Sequence, residues 1–218
     1  MVTVPSLKFE RALWGDGVAL VAGVDEVGRA PLAGPVGAGA VILPPLPRLN
    51  RRYAFLRHVR DSKQLTAQAR EELSGYIWEH ALAAGVGLVS STCIDRIGIA
   101  EASRQAMLLA IGEMSVRPQH LLIDAFRIPA CRLPQTNVID GDEKIASISC
   151  ASIIAKVHRD RMMRGEDETY PGYGFVRNKG YPTREHFAGL NALGPCPLHR
   201  RSFAPIREMF AGLAALSS

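Results

Sequence analysis

The 218-residue chain has no apolar run approaching the ~18 residues needed to span a bilayer. It also shows no secretory leader pattern, which leaves a cytosolic protein as the expectation. Its four cysteines, Cys93, Cys131, Cys150 and Cys196, form no Cys-x-x-Cys pair and match no histidine spacing, which argues against a structural zinc site. Cys150 lies in a small-residue, apolar stretch and is expected to be a buried thiol. Internal repeats and low-complexity tracts are missing. No Cys-His or Ser-His constellation suggests a covalent nucleophile, and no EF-hand spacing suggests a calcium loop.

What is present is an ordinary globular balance, 47% apolar and 22% charged, with enough chain for one well-packed domain. Lys and Arg number 26 against 21 Asp and Glu, a net charge of +5 that favours a polyanionic partner without proving one. The excess is clustered at Arg48, Arg51, Arg52, Arg57 and Arg60, and again at His199-Arg200-Arg201. Such a run is equally the pattern of a solvated face.

The first segment, to about Asp16, carries little pattern. Strands are expected near 19–24 and 36–43, the second ended by Pro44-Pro45-Leu46-Pro47. Thr66 reads as the N-cap of a helix with Leu73, Ile77 and Ala81 at core spacing, stopped at Gly85. A strand over 86–90, a helix over 95–114 and short strands at 121–123 and 137–139 follow. A further helix holds Ile148, Ile153, Ile154 and Val157, the chain loosens after Gly165, and two more helices follow Thr183 and Phe203. The order suggests an α/β or α+β sheet with packed helices, in which sites collect at strand ends.

Three places offer acids at the ends of apolar segments: Asp25-Glu26, Asp124 and Asp142. A lone Asp-Glu pair is most often a solvated turn. Acids converging from neighbouring strand ends would instead repel strongly unless divalent cations bound among them, as in two-metal phosphodiester hydrolysis.

The flanking residues sharpen this. The run from Gly23 to Val36 (GVDEVGRAPLAGPV), Asp61-Ser62-Lys63-Gln64-Leu65, Leu122-Ile123-Asp124 and Gly141-Asp142-Glu143-Lys144 resemble motifs of the ribonuclease HII family. So do Ser149 to Asp160 (SCASIIAKVHRD), Tyr173-Gly174-Phe175, Lys179-Gly180-Tyr181-Pro182-Thr183 and His199-Arg200-Arg201-Ser202-Phe203. The resemblance spans about residues 19–208 in the family's order.

It implies one domain over 1–218: a ribonuclease H-like mixed sheet flanked by helices, about 17–165, with a C-terminal helical substrate-binding extension, about 166–218. It also implies an endonuclease that cuts RNA in RNA–DNA hybrids and cuts 5′ of single ribonucleotides in duplex DNA, leaving 3′-hydroxyl and 5′-phosphate ends. Asp25, Glu26, Asp124 and Asp142 become ligands for Mg²⁺ or Mn²⁺ in a two-ion mechanism. Gly28-Arg29-Ala30 becomes the backbone that senses a 2′-hydroxyl, and Tyr181 the residue packed on the neighbouring sugar. Lys63, Lys179, Arg200 and Arg201 become phosphate contacts. The expected protein is a monomer whose partners are nucleic acids rather than membranes. Three positions depart from the family: Ala30 where glycine is usual, Asp140 where many members carry lysine, and Gly98 in place of asparagine.

Overall fold

The computed structural model describes residues 4–216, so the expected domain's outermost residues, 1–3 and 217–218, lie outside the described residues. The segment that carries little sequence pattern forms a helix, α1 (Lys8–Gly15). Its buried Glu10 accepts a hydrogen bond from the Ser147 N–H at 2.8 Å and so caps a distant helix. A cap supplied across 137 residues leaves no local pattern.

Strands β1 (Val21–Val27) and β2 (Val36–Ile42) follow, then a 3₁₀ stretch over Arg51–Arg57. The Asn50 side chain caps that stretch, and Tyr53, Phe55 and Leu56 bury themselves beside Leu73 and Ile77. The Arg-rich segment is therefore anchored by its aromatics while Arg51, Arg52 and Arg57 stay exposed.

Helix α2 (Ala67–His80) begins at Thr66, whose hydroxyl accepts from the Ala69 N–H at 3.2 Å. It ends at His80 rather than at Gly85, which lies inside β3 (Ala83–Val89). The single helix expected over 95–114 is two, α3 (Ser91–Ile97) and α4 (Ile99–Gly112). Gly98, at φ +80°, breaks them apart, a conformation glycine adopts without a Cβ penalty. Then come β4 (His120–Asp124), β5 (Gln135–Val138), α5 (Gly141–Lys144) and α6 (Ala146–Thr169), which runs straight through Gly165. Helices α7 (Phe175–Asn178), α8 (Arg184–Leu193) and α9 (Ala204–Leu216) complete the described chain.

The strands form one mixed sheet in the order β3-β2-β1-β4-β5, with β1, β4 and β5 parallel and β1-β2-β3 antiparallel. Helix α6 covers one face and α4 the other. Glycines set both approaches. A Cβ on Gly23 or Gly39 would overlap the α6 backbone at Ser147 or Ala151, and one on Gly85 or Gly87 would overlap α4. These close contacts hold the carboxyl ends of β1 and β4 beside α6, where the acids sit.

Candidate active site

Asp25 and Glu26 close β1, and Asp124 closes its parallel neighbour β4, with Val24 in register with Ile123. One carboxylate oxygen from each of the three lies within 4.8 Å of the other two. The Gly141 N–H donates to Asp124 Oδ1 at 2.7 Å, which docks α5 against β4. Asp142, in the first turn of α5, stands outside the tight trio but lines the same cleft of about 220 Å³. The four expected acids thus face one space.

Their electrostatics follow from crowding and burial. Burial, reinforced by Glu26 and Asp124, raises the Asp25 pKa well above the usual carboxylate range. Burial also raises Glu26, against the pull of Arg29, whose Nη1 is 3.4 Å from Glu26 Oε1. Asp124 is raised by burial, with the Gly141 amide opposing. Asp142 is pushed up to about 6 by burial and by the charge of Asp124. Glu26 Oε2 is buried with no hydrogen-bond partner among the described residues. Hard oxygen donors, mutual repulsion and an orphaned carboxylate oxygen all fit a divalent cation such as Mg²⁺ or Mn²⁺.

Gly28, Arg29, Ala30, Lys63 and Tyr181 line the cleft with the acids. Gly28 takes φ +80°, whereas Ala30 keeps an ordinary φ and is exposed, so its methyl group introduces no backbone strain. Lys63 Nζ stands 4.0 Å from Asp142 Oδ2, and the surrounding carboxylates raise its pKa against the effect of burial. Tyr181 is half-buried and belongs to none of the apolar core clusters among the described residues.

The other expected phosphate contacts stand elsewhere. Arg200 is fully buried and donates to the carbonyls of Gly28, Arg29, Gly34 and Pro35, leaving no face for a phosphate. That expectation is corrected: its fork is occupied by backbone oxygens. Lys179 takes φ +53°, and its ammonium donates to the Val176 carbonyl outside the cleft. Arg201 is exposed, with its guanidinium 4.5 Å from the Phe210 ring centroid. Asp140 points to solvent beside Lys144 at 3.6 Å, and its charge helps raise Asp124.

Sequence reasoning missed Ser62, Ser152 and Lys156, which also line the cleft. The Ser62 and Ser152 hydroxyls are 3.1 Å apart, and Lys156 Nζ donates to Asp160 Oδ1 at 2.7 Å. The readable signal was a polar stripe, Ser149, Ser152 and Lys156, along one face of the first half of α6.

A mixed five-stranded sheet flanked by helices, with carboxylates clustered at adjacent strand ends, is the architecture of the ribonuclease H-like class. The family model described as Ribonuclease HII matches residues 22–206. A ribonuclease HII of Geobacillus kaustophilus is 50% identical over 203 residues, covering 93% of this chain and 75% of that protein. That of Enterococcus faecalis is 48% identical over 202 residues, covering 93% and 76%. The crystal structure of ribonuclease H2 from Pyrococcus horikoshii OT3 matches with a TM-score of 0.74 at 27% identity, covering 89% of this chain and 98% of that one. This chain belongs to the ribonuclease HII family. It is a divalent-metal-dependent endoribonuclease, a phosphodiester hydrolase acting on RNA–DNA hybrids.

Proposed function

We propose that the enzyme also cuts on the 5′ side of a single ribonucleotide embedded in duplex DNA, leaving 3′-hydroxyl and 5′-phosphate ends, and so serves ribonucleotide removal from DNA. The observation that carries this reading is one cleft holding all four acids together with the Gly28-Arg29-Ala30 backbone and Tyr181. Chemistry and 2′-hydroxyl recognition then share one wall.

Asp25, Glu26, Asp124 and Asp142 are the residues that would hold two Mg²⁺ or Mn²⁺ ions. Bound there, divalent cations supply a nucleophilic hydroxide and neutralise charge on the leaving oxygen. The protein's own groups do the rest. The backbone amides of the 28–30 segment donate to the 2′-hydroxyl, the feature that separates RNA from DNA. Lys63 holds a phosphate near the scissile bond, and the ring and hydroxyl of Tyr181 pack on the adjoining sugar. Lys179 and Arg201 would meet the duplex backbone further out, on the helical extension after residue 166. The reading includes a cytoplasmic monomer. The four cysteines are free, and no described helix is long and apolar enough to cross a membrane.

The test is cleavage of labelled duplex DNA carrying one ribonucleotide, in Mg²⁺ or Mn²⁺ against EDTA, beside an all-DNA duplex and a long hybrid. Metal-dependent cutting 5′ of the single ribonucleotide supports the proposal. Cutting of the long hybrid alone would sink it and assign the Ala30 departure a change in substrate choice.

A further inference from the structure

Two arginines, Arg159 and Arg200, are both fully buried, and neither meets a carboxylate at salt-bridge distance among the described residues. Burying a guanidinium without a counter-charge is costly, and here every hydrogen bond that compensates goes to a backbone oxygen, with the Phe203 ring centroid 5.0 Å from the Arg200 guanidinium as a further contact. Arg159 donates to the carbonyls of Pro35 at 2.9 Å, Ala33 at 3.1 Å and Lys179 at 3.1 Å. Arg200 donates to Gly28 at 2.6 Å, Arg29 at 2.8 Å, Gly34 at 3.0 Å and Pro35 at 3.0 Å. The cost shows in Arg200, whose pKa is pulled down to about 9 by burial and by the neighbouring Arg159 charge.

The geometry has a directional consequence. In a trans peptide the C=O and N–H point in opposite directions, and no cis bond occurs among the described residues. The Gly28 carbonyl shares its peptide unit with the Arg29 N–H, and the Arg29 carbonyl shares its unit with the Ala30 N–H. Arg200 draws both carbonyls inward. Both amides are thereby turned away from Arg200, and neither has an acceptor among the described residues. A charged donor on each carbonyl also polarises the same peptide unit and strengthens its N–H as a donor.

We propose that Arg200 is a positioning residue for ribonucleotide discrimination: it orients and polarises the Arg29 and Ala30 amides that meet the 2′-hydroxyl. Arg159 backs this arrangement. By joining Ala33 and Pro35 to Lys179, it fixes the sensing segment against the strand of chain that leads to Tyr181. The inference rests on the proposed recognition of single ribonucleotides and deepens it. It goes beyond that reading by giving the discriminating element a charged residue that never touches nucleic acid.

The experiment compares wild type with Arg200→Lys, which keeps the charge but loses the fork. Cleavage of the single-ribonucleotide duplex and of the long hybrid is measured as kcat/KM. Binding to the ribonucleotide duplex and to its all-DNA counterpart is measured in an Asp142→Asn background. The expected result is a loss of about tenfold or more in the ribonucleotide-over-DNA binding ratio, equivalent to roughly 1.4 kcal/mol. Cleavage of the long hybrid, where many 2′-hydroxyls share recognition, should fall by much less. Equal losses on both substrates, or an unchanged binding ratio, would reduce Arg200 to a structural residue and overturn the inference.

A wild-type measurement covers the case in which the variant does not fold. The ¹H–¹⁵N resonances of Arg29 and Ala30 should shift with the ribonucleotide duplex and stay in place with all-DNA. If they ignore the ribonucleotide, the inference falls. Wild type that shows no preference for the ribonucleotide duplex defeats the underlying reading instead, so the two failures are distinguishable.

Discussion

The Nε2 atoms of His186 and His199 lie 3.0 Å apart inside the C-terminal helical region, with both rings buried. Their neighbours fix the tautomers. His186 Nδ1 is 2.9 Å from the Tyr181 carbonyl and must donate to it, so its Nε2 accepts from His199. His199 Nδ1 is then free to accept the Cys196 N–H at 2.9 Å. This neutral relay ties α8 and the 196–199 turn to the backbone of Tyr181.

A proton added to either ring turns an acceptor into a donor and breaks the relay. Burial lowers both pKa values, that of His199 to about 4, with the His186 ring adding to the fall. The unfolded chain therefore binds protons at higher pH than the folded one. The associated stability is complete above the unfolded value of about 6.5 and is lost as pH falls towards 4, on the order of 2 kcal/mol. Melting curves from pH 7 to pH 4.5 should show this slope flattened in His199→Gln relative to wild type. Parallel profiles would mean the pair does not titrate with folding.

The acids respond with the opposite sign. Asp142 is raised to about 6, so the metal-free protein loses stability as pH rises from about 4 through 6. Asp142→Asn removes this strain. Allowing for solvent screening, the variant should be roughly 1 kcal/mol more stable than wild type at pH 7.5 in EDTA. If Asp142 holds metal as proposed, the same change should cost about a hundredfold or more in cleavage. Added Mn²⁺ should raise the melting temperature of wild type more than that of the variant. A metal-free variant less stable than wild type would place Asp142 in a structural rather than a metal-holding role.

Gly23→Ala tests how the site is held in place. The added methyl would press into the Ser147–Ile148 backbone, where the neighbour is a helix main chain and cannot swing aside. Overpacking of this kind typically costs about 1–3 kcal/mol, and the upper end is expected here. Denaturant titration would measure it, and a change below about 0.5 kcal/mol would mean α6 yields more readily than its packing suggests.

The sequence and the structure agree most closely where the signal is local. Thr66 caps its helix, the apolar runs become β1 and β2, and Asp25, Glu26 and Asp124 fall at strand ends, whereas Asp142 sits in the first turn of α5. They diverge where the deciding partner is far along the chain. Gly85 looks like a helix stop but is a strand glycine, because α4 presses against it from the opposite face. Arg200 reads as a phosphate contact because it stands in the basic run His199-Arg200-Arg201, and only the folded chain supplies its four carbonyls. Glu10 lies in a patternless segment because the amide it caps is 137 residues away.

Tyr181 separates recognition from folding. It lines the cleft, its ring lies 5.5 Å from Lys156 Nζ, and its own N–H donates to the Asn178 carbonyl at 2.9 Å. Backbone bonds of Tyr181 to Asn178 and His186 hold the chain there, so the side chain is available for a sugar. Tyr181→Ala should therefore melt close to wild type while losing about tenfold or more in kcat/KM on the single-ribonucleotide duplex. Tyr181→Phe keeps the ring and removes only the hydroxyl, so it should recover most of the packing and isolate the hydrogen bond. If Tyr181→Ala instead unfolds well below wild type, the ring is packing the C-terminal region. If Phe and Ala lose activity equally, the hydroxyl rather than the ring face makes the contact.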